Sequence, residues 1–181
     1  MYWEDLRNQI ERTLSALRNF DVKFVDEKLF PEFINHLKGR DRTDFQNYGH
    51  GFKFLDITGY FSEGISDMLS DYSTRRNCKV RLVSPELKPN IKQDMNNLTA
   101  LRKMQDKGVE IRVSPRIHAR LLVGYPSDEP ALFGNGVLLL GSFDFNREGL
   151  SGEKINAGII TQHPNLVRSA RDFQEDIGRK I

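Results

Sequence analysis

Residues 116–125 read RIHARLLVGY. His118 lies between Arg116 and Arg120, and an apolar run begins at once with Leu121. The run has the character of a buried strand, so the question is why cations crowd its mouth. Residues two apart on a strand point to the same side. Arg116, His118 and Arg120 therefore form one row if the strand runs unbroken through them, with Leu121 and Val123 on the other side. With Arg112, four cationic or potentially cationic residues fall within nine positions. Such a row suits a cluster of anionic oxygens. Arg offers a planar fork of donors to phosphate, and His can act as nucleophile or acid near neutral pH. The same residues could equally be solvated charges at an exposed strand end.

A second stretch, LLLGSFDFNREGL at residues 138–150, bears on the choice. An apolar strand leaves through Gly141 and Ser142. Glycine permits a sharp exit, and the Ser142 hydroxyl with nearby backbone N–H groups could hold an anion there. An ordinary turn is the alternative. Phe143 and Phe145 flank Asp144 and could either stack on bases or belong to the core.

Outward from these two stretches the chain reads as an α/β protein. FKFLDITGYF from Phe52, CKVRLVSP from Cys78, VEIRVSP from Val109, ARLLVGY, GVLLLGSF and INAGIIT are strand-like. Ile65, Met68, Leu69 and Tyr72 share one helical face, as do Ile91, Met95, Leu98, Leu101 and Met104, and Gly108 stops the second helix. PNLVRSARDFQEDIG is a closing helix with Pro164 near its start, and His163 belongs to the loop or helix start before it. The order β-α-β-α-β-β-β-β-α predicts a layered α/β/α domain with a mixed sheet over residues 51–181. The turn-rich linker 126–136 is the expected mobile loop.

Residues 1–50 read differently. Leu6, Ile10, Leu14 and Leu17 predict an amphipathic helix over about residues 2–19. A short helix is expected over 31–38 from Pro31, and an exposed loop over 39–51. The segment as a whole reads as an N-terminal helical extension.

Composition narrows the class. Of 181 residues, 38% are hydrophobic and 29% charged, ordinary for a globular chain long enough to bury a core. The formal net charge of +2 implies no partner by itself, so any basic face must be local. The single cysteine, Cys78, excludes an intrachain disulfide framework and a Cys-based zinc site; it reads as a buried apolar filler at a strand start. No apolar run approaches the roughly 20 residues that span a bilayer. The N-terminus is polar and periodic, unlike a signal peptide, and a cytoplasmic location is the default expectation.

Taken together, HARLLVGY and LLLGSFDFNREGLSG resemble the phospholipase D superfamily signature, His-x-Lys, four residues, Asp, then Gly-Ser-x-Asn. The flanks GVEIRVSPRIHARLLV and INAGIIT are similar to the family's neighbouring strands, so the resemblance covers roughly residues 52–178. It implies that His118 is the nucleophile or acid of a phosphohistidine mechanism. It implies that Arg120, standing for Lys, clamps a phosphate oxygen, and that Ser142 binds phosphate. Asp144 stands for Asn, and Tyr125 for Asp. A carboxylate at Asp144 repels a phosphodiester unless it is paired, and Arg120 is the expected partner. Arg112, Arg116 and Asn146 are the expected further contacts to phosphate or nucleic acid, with Arg75, Arg76 and Lys79 as backbone contacts that read no sequence.

The family's reaction uses two such motifs and this chain has one, since His36, His50 and His163 lack the companion pattern. The resemblance therefore implies a homodimer with His118 contributed by each subunit. It implies no metal and no cofactor, since nucleophile and acid are both imidazoles, and no metal-ligand spacing is visible. The short single-motif layout resembles the nuclease branch, which makes DNA or RNA the expected partner. The absence of a membrane-directed stretch argues against a lipid-headgroup module. A degenerate member that binds nucleic acid or phosphorylated ligands without cleaving them is the alternative.

Overall fold

The computed structural model describes residues 4, 7, 8, 22–38, 52–59, 61, 63–88, 90–115, 117–126, 136–145, 151 and 156–179. Most of the helix expected over 2–19, nearly all of the 39–51 loop, the 127–135 part of the linker, Arg116 and Asn146 lie outside the described residues. Seven strands, β1 (Val22–Asp26), β2 (Phe54–Thr58), β3 (Lys79–Ser84), β4 (Glu110–Val113), β5 (Leu121–Tyr125), β6 (Val137–Gly141) and β7 (Ala157–Thr161), form one sheet in the order β1-β7-β6-β5-β2-β3-β4. Four longer helices are described: α1 (Leu29–Leu37), α2 (Glu63–Thr74), α3 (Lys92–Asp106) and α4 (Pro164–Arg179).

From β2 onward the order is the one read from the sequence. β2, β3 and β4 are parallel and joined by crossovers through α2 and α3, as parallel neighbours require. The other pairings are antiparallel, so the sheet is mixed.

Alternation along the strands sorts the side chains into two cores. Leu55, Ile57, Val80, Leu82, Leu122, Leu139 and Ile160 face α1, α2 and α3. Leu121, Val123, Tyr125 and Leu138 face Val167 and Ala170 of α4. The result is an α/β/α sandwich. Helix ends follow local chemistry. Gly108, at φ +84°, closes α3 with its own N–H on Gln105 O and the Val109 N–H on Met104 O, a Schellman arrangement. His163 caps α4: its carbonyl accepts from Leu166 and Val167, and its Nδ1 accepts from the Asn165 N–H at 3.2 Å.

Residues 22–38 depart from the expected extension. β1 pairs with β7 from Val22↔Thr161 to Asp26↔Ala157, and Phe30, Phe33, Ile34 and Leu37 of α1 are buried in the larger core. The helix also begins before Pro31. Asp26 Oδ1 accepts the N–H groups of Lys28 and Leu29 at 3.0 and 2.9 Å, which turns the chain from strand into helix. The strand is short and carries Lys23 and Asp26, so its alternation was weak in the sequence.

One charged group lies between the sheet and α4. Asp56, 1% exposed, accepts two bonds from Arg81 at 2.7 and 2.6 Å and one from the Tyr125 hydroxyl at 3.2 Å. Burial pushes the Asp56 carboxyl up, with the Arg81 fork pulling against it. The same bond holds the guanidinium above its ordinary value. Glu175 of α4 lies 4.0 Å from Arg81 and 3.3 Å from Arg171. This places an ionic cluster on the α4 side, in which Arg171 Nε is buried without a hydrogen-bond partner among the described residues.

Candidate functional site

His118, Arg120, Ser142 and Asp144 gather at one end of the sheet, where β2 and β3 finish, β5 and β7 begin, and β6 exits. β5 starts at Leu121, paired with Thr58, so no unbroken strand carries 116, 118 and 120 as a single row. The reason lies in β2. Gly59, at φ +138°, turns away after Thr58 and its N–H bonds Val83 O. The residues before Leu121 therefore lose their partner on that side. The segment is anchored by the Ser114 N–H on Ser84 O, by a turn in which the Ile117 N–H donates to Ser114 O at 3.3 Å, and by buried Ile117.

His118 is exposed. Arg120 folds back over the segment. Its NH1 donates to His118 O at 2.7 Å and its Nε to Asp144 Oδ1 at 2.7 Å. The Arg120 and Asp144 side chains are 18% and 23% exposed. The ion pair anticipated from the sequence is thus present, and it fixes Asp144 against the backbone of the nucleophile candidate. Gly59 supplies room: a Cβ there would lie 3.0 Å from Arg120 Cδ.

Ser142 ties two strands together. Its N–H donates to Ala157 O at 3.0 Å, and its Oγ accepts from the Ala157 N–H at 3.1 Å. The hydroxyl hydrogen has Ala157 O at 3.4 Å and Asn156 Oδ1 at 3.5 Å as weak acceptors. Asn156, 6% exposed, was not singled out in the sequence; its signal is one polar residue at the mouth of an apolar strand. Gly141 serves a different purpose from the sharp turn expected. It pairs with Gly158, and a Cβ would meet Ala157 O and the Phe143 ring at 2.6 Å and Gly158 Cα at 2.8 Å. The two glycines clear a slot for Phe143.

Phe143 and Phe145 are core residues, 0% and 1% exposed. Phe143 stacks on Phe30 of α1 with centroids 4.2 Å apart, and Phe145 meets the same ring edge-on at 5.8 Å. α1 is therefore the floor of the Gly-Ser segment, and neither ring is available for bases.

Other residues fall elsewhere. Tyr125 is at the far end of β5, so its departure from the signature lies away from His118. Arg112 is on edge strand β4, three places from β5 in the sheet, with Nε 2.7 Å from Glu110 Oε1 and NH2 on the same oxygen. It is not brought beside Arg120. Arg75, Arg76 and Lys79 lie at the opposite end of the sheet, where β3 begins. Among the described residues no three His, Cys, Asp or Glu side chains stand together as a metal site, and no helix is long and apolar enough to cross a membrane.

No protein-family model matches the sequence, and no curated protein matches it. Solved structures do match. Nuc from Salmonella typhimurium, a phospholipase D family member, superposes with TM-score 0.60 at 14% identity, covering 87% of this chain and 93% of that one. NucT from Helicobacter pylori gives 0.61 at 12% identity, over 87% and 95%. TrmBL2, an archaeal chromatin protein with a novel mode of DNA binding, gives 0.54 at 8% identity, over 99% and 61%. At these identities the likeness is one of fold: the chain shares the architecture of Nuc and NucT.

Proposed function

We propose that the chain is a phosphodiesterase acting on nucleic acid, with one half-site per subunit of a homodimer. The observation that carries this reading is the meeting of His118, Arg120, Ser142 and Asp144 at one sheet end of a phospholipase D fold. In this scheme an imidazole nitrogen of His118 attacks phosphorus and forms an N–P bond. The P–O bond to the leaving group breaks, and that oxygen takes a proton from the same residue of a second copy. Water then cleaves the N–P bond, giving up its proton to the second imidazole and restoring both. Arg120 holds a non-bridging oxygen, and Ser142 donates its hydroxyl to another. Arg116 and Asn146 extend the contacts along the backbone. The scheme uses no metal or cofactor and suits a cytoplasmic protein.

A second reading rests on the Arg120–Asp144 bond itself. A carboxylate 2.7 Å from the only signature cation makes the site resemble one already filled by an anion, as in a module that binds phosphate without cleaving it. Labelled single- and double-stranded DNA and RNA incubated in EDTA separate the two. Cleavage that disappears in His118→Ala supports the enzyme; cleavage surviving that substitution, or requiring added metal, removes the mechanism. Binding with no cleavage in the wild-type protein leaves the second reading.

A further inference from the structure

The end of the sheet opposite His118 carries six basic residues that the packing draws together. Lys53 and Lys79 precede β2 and open β3, and the Lys79 N–H donates to Lys53 O at 2.7 Å. Arg75 and Arg76 leave α2, and the Arg76 guanidinium lies 4.2 Å over the Tyr72 ring. The Tyr72 hydroxyl donates to Leu37 O at 3.0 Å, which brings in Lys38. Lys107 closes α3 beside Gly108, where an added Cβ would lie 3.2 Å from Ser73 Oγ of α2.

Among the described residues, the carboxylates at this end are Asp71, Asp106 and Glu110, the last bonded to Arg112. Asp71 is shared between two guanidinium groups, at 3.4 Å from Arg75 and 3.3 Å from Arg76, and the Arg75 side chain is 84% exposed. Asp106 is the last residue of α3. The β5–β6 connection, with Asp128 and Glu129, leaves the sheet at this end and lies outside the described residues. Part of the basic charge answers the C-terminal poles of α1, α2 and α3, each worth about half a negative charge. The whole chain has a formal net charge of only +2, so this concentration is local rather than general.

We propose that this end is a second docking surface, one that takes a nucleic-acid backbone through its phosphates without reading sequence. The polymer is chosen on the reading given above, but the surface does not require His118 to be catalytic. The six residues of β3, at about 3.3 Å each, put it about 20 Å from the His118 end. A strand touching both ends must therefore be several nucleotides long, so length should govern affinity.

The test is fluorescence anisotropy with end-labelled phosphorothioate DNA of about four and about twenty nucleotides, across a salt series. Arg75→Glu with Lys79→Glu is compared with the neutral pair Arg75→Gln with Lys79→Gln, which decides the matter if the reversal fails to fold. The expected result is a loss of about tenfold for the long oligonucleotide and a salt slope shallower by about 1.4, for two single-strand contacts at about 0.7 each. The short oligonucleotide should bind as before. Unchanged long-oligonucleotide affinity in both variants overturns the proposal, as does an equal loss for both lengths. Capture of phosphatidylserine vesicles through these residues, with no DNA bound, also overturns it. Long-oligonucleotide binding that depends on these residues, in a protein that cleaves none of the unmodified DNA and RNA substrates, sinks the enzymatic reading and leaves this one standing.

Discussion

Two arginine–aspartate pairs sit in the same sheet and behave as different objects. Arg81 and Asp56 lie across adjacent parallel strands, joined by two bonds of 2.7 and 2.6 Å, with the Tyr125 hydroxyl completing the carboxylate. Their side chains are 10% and 1% exposed. Arg120 and Asp144 lie at the open end of β5, joined through one oxygen and reachable by solvent. A buried, forked pair cannot be opened without stranding a charge in the interior. A partly exposed pair joined through one oxygen exchanges partners at less cost. The first is architecture, and the second is a contact that a phosphate can compete for.

The largest effect should come from breaking the buried pair. Asp56→Ala removes both short bonds to Arg81 and, among the described residues, leaves it only the longer contact with Glu175 at 4.0 Å; it should cost about 3–5 kcal/mol of stability, read as a lower urea midpoint. A loss no larger than for an exposed residue would mean that water reaches Arg81. Asp144→Asn should act in the opposite sense. Stability should change by no more than about 1 kcal/mol, while inorganic phosphate should bind severalfold more tightly by calorimetry because Arg120 no longer faces a carboxylate. Weaker phosphate binding in Asp144→Asn would show that the carboxylate helps to hold the anion site open.

The smallest effect comes from pH. Burial pushes the Tyr72 hydroxyl up from 10.0 to about 12 and the Cys78 thiol up from 9.0 to about 12. The unfolded chain releases these protons first, so stability should fall as pH rises from about 9 towards 12. Urea midpoints at about pH 8 and about pH 10.5 measure the fall, and Cys78→Ala should flatten it. A steeper decline in Cys78→Ala would place the responsible groups elsewhere and would implicate the ionic cluster under α4.

Much of this arrangement was legible in the sequence. The strand-helix order from β2 to α4, the stop at Gly108 and the burial of Cys78 follow from periodicity and turn chemistry, and the partnership of Arg120 with Asp144 follows from the resemblance that aligned both positions. What escaped the sequence depends on contacts between distant segments. β1 is recognisable only once β7 offers it an edge. Whether a strand runs through His118 depends on where β2 ends, at Thr58 before Gly59 with its φ of +138°, far away in the sequence. The core placement of Phe143 and Phe145 was the reading their alternation favoured, but that Phe30 is the ring beneath them was not legible. Arg112 looked close to His118 along the chain, yet the strand order puts two strands between β4 and β5.

The stacking of Phe30 on Phe143 has a consequence for how the protein can be divided. A cut at residue 51, which the change in sequence texture invites, would remove β1 from the outer side of β7 and the aromatic floor from beneath the Gly-Ser segment. The remainder would present β7 as a bare edge, with backbone donors and acceptors open to strand addition from another molecule. Residues 22–38 thus form the outer border of the sheet beside β7 while propping the candidate phosphate site from below.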